Sequence, residues 1–117
     1  MAYIYSMETQ ALFDVLADPT RRRILTLLLA KGELCVCELM AALDETQPKV
    51  SRHLGVMKDA GIVLARRDAT WMHYRLASLP PWTRDLLISL SRGVEQELKS
   101  DLKRLKAMGP RSERFAA

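Results

Sequence analysis

Gln47-Pro48-Lys49-Val50-Ser51-Arg52-His53-Leu54-Gly55-Val56-Met57-Lys58-Asp59-Ala60-Gly61 decides the fold of this chain. A proline near the start suits the first turn of a helix, where its missing N–H has no intrahelical partner, and Gly61 suits the stop. Val50, Leu54 and Met57 recur at i, i+4 and i+7, so one face of this helix turns inward. Just upstream, residues 33–43 form a second short helix candidate, with Leu39 and Leu43 four apart. Asp44-Glu45-Thr46 is the turn between them, and two short helices joined this tightly have the outline of a helix-turn-helix. Downstream, residues 62–67 and 71–76 read as strands: Ile62 and Leu64 alternate, and Trp71, Tyr74 and Leu76 are β-prone. Asp68-Ala69-Thr70 is the hairpin tip and, lacking glycine, is expected to avoid the tightest two-residue turn. A hairpin directly after a helix-turn-helix is a wing. The expected fold is therefore mainly α (α+β), a winged helix-turn-helix with a two-stranded wing.

Outward from this centre, residues 8–16 read as a short helix with Leu12, Val15 and Leu16 on one face. Asp18-Pro19-Thr20 starts the next helix, with Asp18 as N-cap. Residues 21–30 are dense in Ile and Leu, which predicts a helix buried on most sides, and Gly32 ends it. After the break at Pro80-Pro81, residues 82–105 predict one long amphipathic helix with a seam of Leu87, Leu90, Val94, Leu98, Leu102 and Leu105. A seam of that length on a small domain needs a partner, most simply the same helix of a second subunit. Leu87, Leu90, Val94 and Leu98 are the expected contacts of such a homodimer. Residues 1–108 would form one DNA-binding and dimerisation domain, and residues 109–117 a flexible tail.

With 117 residues, 49% of them apolar, the chain is expected to be one folded domain rather than a disordered tail. It has no apolar run near bilayer-spanning length, and Met1-Ala2-Tyr3-Ile4-Tyr5 lacks the marks of an export signal. The expected location is cytoplasmic, without membrane contact. In that reducing compartment Cys35 and Cys37 are expected to be a thiolate pair rather than a structural disulfide. The net charge is +4, and the six basic and two acidic residues of positions 47–75 carry all of it. A basic segment on a helix-turn pattern points to nucleic acid rather than to a merely solvated surface. Gln47, Lys49, Ser51, Arg52 and His53 cluster at the N-terminal part of the second helix, the part that enters a DNA groove. Arg suits guanine, Gln adenine, Ser a base or a phosphate, and Lys mainly phosphate. Arg67 and Thr70 are the wing candidates.

The runs Leu16-Ala17-Asp18-Pro19-Thr20-Arg21, Glu33-Leu34-Cys35-Val36-Cys37-Glu38-Leu39, Gln47-Pro48-Lys49-Val50-Ser51-Arg52-His53-Leu54 and Trp71-Met72-His73-Tyr74-Arg75-Leu76 resemble the ArsR/SmtB repressors, most closely their arsenic-responsive branch. The resemblance covers roughly residues 10–82. It implies a homodimeric repressor, paired through its first and last helices so that Leu12 joins the seam, whose recognition helix and wing bind an inverted-repeat operator in double-stranded DNA. It also implies that Cys35 and Cys37 bind As(III) or Sb(III) as inducer.

Thiolate chemistry supports that role independently, because soft donors favour As(III), Sb(III), Cd(II), Pb(II) or Cu(I) over hard cations. On an ideal helix, residues two apart point about 200° away from each other, so both sulfurs cannot grasp one ion. Chelation is therefore expected to unwind the start of the first helix of the helix-turn-helix. Where the family often has a third cysteine one turn on, this chain has Met40, a weak ligand, leaving the third position to solvent, a small thiol or the methyl group of a methylated arsenical. Cadmium- and lead-sensing relatives add cysteines from an N-terminal arm, and residues 1–34 contain none. Zinc sensing in the family uses histidines on the last helix, and none lies beyond His73. An oxidant-sensing pair is a further alternative, which the Cys-x-Cys spacing is expected to disfavour. An enzyme with Cys35 or Cys37 as nucleophile and His53 or His73 as base is the remote one, since no oxyanion or phosphate loop accompanies them.

Overall fold

Asp18 starts the central helix as its spacing predicts. In the computed structural model, which describes residues 9–109, the Asp18 carboxylate accepts the Arg21 N–H at 3.1 Å, and Pro19 sits in the first turn of helix α2 (Pro19–Lys31). Gly32 ends α2 at φ 86°, a conformation that glycine adopts without the Cβ penalty. Ile24, Leu25, Leu27 and Leu28 of α2 are at most 1% exposed, so this helix is the axis of the core.

Around it stand α1 (Thr9–Leu16), α3 (Val36–Leu43), α4 (Gln47–Asp59), α5 (Pro81–Gly93) and α6 (Glu95–Lys106). Strands β1 (Glu33–Cys35), β2 (Val63–Asp68) and β3 (Trp71–Leu76) form one antiparallel sheet in the order β1-β3-β2. Helices α3 and α4, joined by Asp44-Glu45-Thr46, are the helix-turn-helix, and β2–β3 is the wing. Val50, Leu54 and Met57 are fully buried, so the apolar stripe of α4 packs inward as its period requires.

Four expectations change. Residues 33–43 are not one helix: the first three pair with β3, and α3 begins only at Val36. Ladder hydrogen bonds to a strand about forty residues away satisfy this backbone where a helix would otherwise do so. Residues 82–105 form two helices that meet at Val94, whose φ of −113° and ψ of 31° are not helical, directly after the helix-weakening Gly93. The hairpin does use a two-residue tip, because Asp68 pairs with Trp71 and leaves Ala69 and Thr70 between them. Ala69 supplies the positive φ, 55°, that glycine usually supplies. Finally, Leu12 and Leu87 have no exposed surface in the protomer and belong to its own core rather than to an interface. Leu90, Val94 and Leu98 remain partly exposed. Of the expected tail only Gly109 is described, and residues 110–117 lie outside the described part, as does the N-terminal stretch 1–8.

Candidate nucleic-acid interface and cysteine site

The outer face of α4 carries Gln47, Ser51 and Arg52, all exposed. Lys49 is half-buried and its Nζ lies 2.8 Å from Glu45 Oε1, one turn earlier. The Lys49 bond, against an opposing desolvation effect, holds the Glu45 carboxyl below the usual carboxylate range. On the wing, Arg67 and Thr70 are exposed, and both follow α4 in the chain through β2 and its tip.

His53 departs from the expected surface. It is 7% exposed and lies between α4 and the start of α2. Arg21 Nη1 is 3.5 Å from its Nδ1, and since arginine only donates, Nδ1 is the acceptor. Its Nε2 is 3.8 Å from Asp18 Oδ2. Burial pushes the imidazole below its ordinary value; Asp18 opposes this, while Arg21, Arg52 and Lys49 add to it. Partial burial raises the Asp18 carboxyl, but the Arg21 N–H, nearby His53, the Thr20 N–H and the Arg21 guanidinium bring it below the usual range. The Arg21 side chain also donates to Val15 O at 2.9 Å and Asp14 O at 2.8 Å, at the C-terminal end of α1. His53 thus docks the recognition helix onto the α1–α2 corner instead of facing DNA. Spacing carries the signal: Val50, His53, Leu54 and Met57 follow i, i+3, i+4 and i+7.

The cysteines sit where β1 becomes α3. Cys35 is in extended backbone, φ −84° and ψ 167°, and is the N-cap of α3. Its Sγ accepts the Glu38 N–H at 3.4 Å, while Glu38 Oε1 accepts the Cys35 N–H at 2.9 Å, a reciprocal capping box with sulfur in the role usually taken by a hydroxyl. Cys35 and Glu38 are each 1% exposed, whereas Cys37 is half-buried. The two sulfurs are in direct contact as a disulfide, with Cα atoms 5.4 Å apart, inside the usual disulfide range of about 4.4–6.8 Å. Cys35 precedes the helix instead of lying within it, so the divergence of side chains on an ideal helix does not hold the pair apart, and the spacing permits a disulfide instead of disfavouring it.

Beside Cys37 lies an open groove of about 500 Å³ lined by Met40, Ala41, Asp44, Glu45 and Thr46. The cysteine site therefore adjoins the turn of the helix-turn-helix. Among the described residues no group of three or more His, Cys, Asp and Glu is placed to hold a metal ion.

The other end of α3 holds a cluster that local sequence patterns do not reveal. Asp101 of α6, 1% exposed, accepts from Arg23 at 2.7 and 3.1 Å and from Arg104 at 2.6 Å. The same arginines donate to the last carbonyls of α3, Arg23 to Leu43 O at 3.2 Å and Arg104 to Ala42 O at 2.7 Å. The hydrogen bond to Asp101 raises the Arg23 pKa against the cost of burial.

Residues 18–64, from the cap of α2 into the first wing strand, match the signature of the bacterial regulatory proteins of the arsR family. The arsenical resistance operon repressor of Escherichia coli (strain K12) is 41% identical over 95 residues, covering 80% of this chain and 81% of that protein. The chain belongs to the arsR family. The arsenic resistance transcriptional regulator ArsR1 of Pseudomonas putida is 44% identical over 100 residues, 85% of this chain and 78% of that one. The crystal structure of the AntR antimony-specific transcriptional repressor matches with a TM-score of 0.58 and 36% identity, over 73% of this chain and 78% of that chain. This arsR-family protein is a winged helix-turn-helix transcriptional repressor and not an enzyme. No helix among the described residues is long and apolar enough to cross a membrane.

Proposed function

We propose that the protein binds an inverted-repeat operator as a dimer and is released when As(III) or Sb(III) binds the thiolates of Cys35 and Cys37. The observation that carries this reading is the contact of the two sulfurs at the start of the helix-turn-helix, where Cys37 lines the groove that reaches Asp44-Glu45-Thr46. The donor set fits a soft, thiophilic ion, and both sulfurs lie in or beside the first turn of α3. The names of the E. coli, P. putida and AntR relatives support a metalloid over Cd(II) or Pb(II).

Gln47, Lys49, Ser51 and Arg52 would meet the major groove, with Arg67 and Thr70 on the flanking backbone. Dimerisation would use α1, α5 and α6. Leu90, Val94 and Leu98 keep surface for it, and Phe13 and Ile88, 51% and 40% exposed, add apolar area that the seam alone did not identify.

Operator binding followed by fluorescence anisotropy, titrated with As(III), Sb(III), Cd(II) and Zn(II), tests the reading. Release by the first two at lower concentrations than by the others is expected, and release by none of the four sinks it. The disulfide contact favours a second reading, in which oxidation of the pair releases DNA. Release by peroxide but not by arsenite would select it.

A further inference from the structure

We propose that Glu33 and Arg66 are positioning residues that tie the cysteine site to the wing, so that ligand binding reaches DNA through the hairpin. The proposal rests on the metalloid-released reading above. Cys35 is both the cap of α3 and the last residue of β1. Glu33, Leu34 and Cys35 pair with Arg75, Tyr74 and His73 of β3, so the buried ligand residue stands directly opposite a residue of the wing.

A second tie passes over the central strand. Arg66 of β2 donates from Nη2 at 2.7 Å and from Nε at 3.2 Å to the two carboxylate oxygens of Glu33. Such a two-pronged pair fixes orientation as well as distance. Because the strand order is β1-β3-β2, the bridge spans β3 and binds β1 to both strands of the wing. Successive residues of a strand face opposite ways, so Arg66 turns to Glu33 while its neighbour Arg67 faces away from it and is exposed.

The direction of coupling follows from these attachments. A soft ion on Cys35 Sγ competes with the Glu38 N–H for the same sulfur, which loosens the cap and shifts the Cys35 backbone. Apart from the Cys35 N–H held by Glu38, the strand β1 pairs with the wing strand β3, so the shift passes into residues 71–76 and, through Arg66, into β2.

The test uses arsenite on the full-length protein. Glu33→Gln is expected to bind operator and arsenite as the parent does, yet to lose about two- to fivefold of the arsenite-induced weakening of operator binding, the range a part-exposed ion pair supports. The double change Glu33→Arg with Arg66→Glu should restore part of that loss. Independently, arsenite should alter amide exchange of residues 71–76 and the emission of Trp71 in a Trp82→Phe background. If arsenite releases DNA while exchange and emission stay unmoved, or while Glu33→Gln keeps full release, the wing route is overturned and the repressor reading stands. If arsenite releases nothing from the parent protein, the metalloid reading falls and this inference falls with it.

Discussion

The two ends of α3 face the same problem and meet it with opposite chemistry. Each end of a helix leaves backbone groups without intrahelical partners. At the C-terminal end, Arg23 and Arg104 supply donors to Leu43 O and Ala42 O, and a buried Asp101 holds both guanidinium groups in place. Guanidinium groups stay charged throughout the physiological range, and none of these atoms binds a soft ion well, so this end is fixed. At the N-terminal end the acceptor is a sulfur, Cys35 Sγ, which is also a ligand for thiophilic ions. One end is anchored to α6, the other is open to chemical change. The fixed end lies next to the turn that leads into α4, and the changeable end lies next to the sheet.

The largest effect should come from breaking the fixed end. Asp101→Ala leaves two arginines facing one another without their carboxylate. Removing one partner of a buried pair costs about 3–5 kcal/mol, and the lower figure applies because Arg104 is 40% exposed and can turn to water. A denaturant midpoint unchanged from the parent would show that α3 is not anchored there.

The next effect separates the ends by function. Cys35→Ser and Cys37→Ser should each keep operator affinity and lose release by As(III). Coupling of this kind typically spans about 5- to 150-fold in affinity, and one thiolate cannot draw on both sides of the site. Serine is a favoured N-cap, so Cys35→Ser should keep the cap of α3 and isolate the ligand role from the capping role. Arsenite release of either variant at parent concentrations would remove the distinction between a switchable and a fixed end.

This contrast also explains what could be read before the fold was known. Helix α4 and the wing were legible because their signals are local: Val50, Leu54 and Met57 set a period, and Gly61 sets a stop. Strand β1 was not, since Glu33-Leu34-Cys35 is too short for a pattern and is held by partners at positions 73–75. The anchor at Asp101 was hidden for the same reason, with Arg23 lying 78 positions away. The break at Val94 was concealed by a leucine spacing that continues across it, although Gly93 marked the place. His53 was misplaced on the DNA face although its spacing put it among the buried positions of α4. Chemistry that depends on long-range partners leaves little trace in local spacing.

A smaller effect concerns the far end of the wing. Ala69 holds φ 55°, a conformation that costs an L-residue with a Cβ roughly 1 kcal/mol relative to glycine. Ala69→Gly should raise stability by about that amount, without altering arsenite release, because the tip lies beyond Arg66 and the β1–β3 pairs that carry the proposed coupling. A loss of release with gained stability would instead make wing stiffness part of the switch.

Protons should act least, because the attachment of α4 at His53 is balanced. Burial, Arg21, Arg52 and Lys49 lower its pKa while Asp18 raises it, leaving it below the ordinary imidazole value of 6.5. The unfolded chain therefore binds a proton more readily than the folded one in the interval between the two values. Stability from His53 is fully present above about pH 6.5 and is lost as pH falls through the folded value. One group can contribute at most one proton, which limits the slope to about 1.4 kcal/mol per pH unit, and the opposing Asp18 charge keeps it below that limit. Asp18, also lowered, acts in the same direction but only below its unfolded value of about 3.8, so the two windows are separate. Unfolding by urea at pH 7.5, 6.5 and 5.5 should show this slope in the parent and a flatter one in His53→Gln. If the slopes coincide, His53 packs against the α1–α2 corner without sensing its charges. If the slope reverses, the imidazole is charged in the folded state, and α4 is held by an ion pair after all.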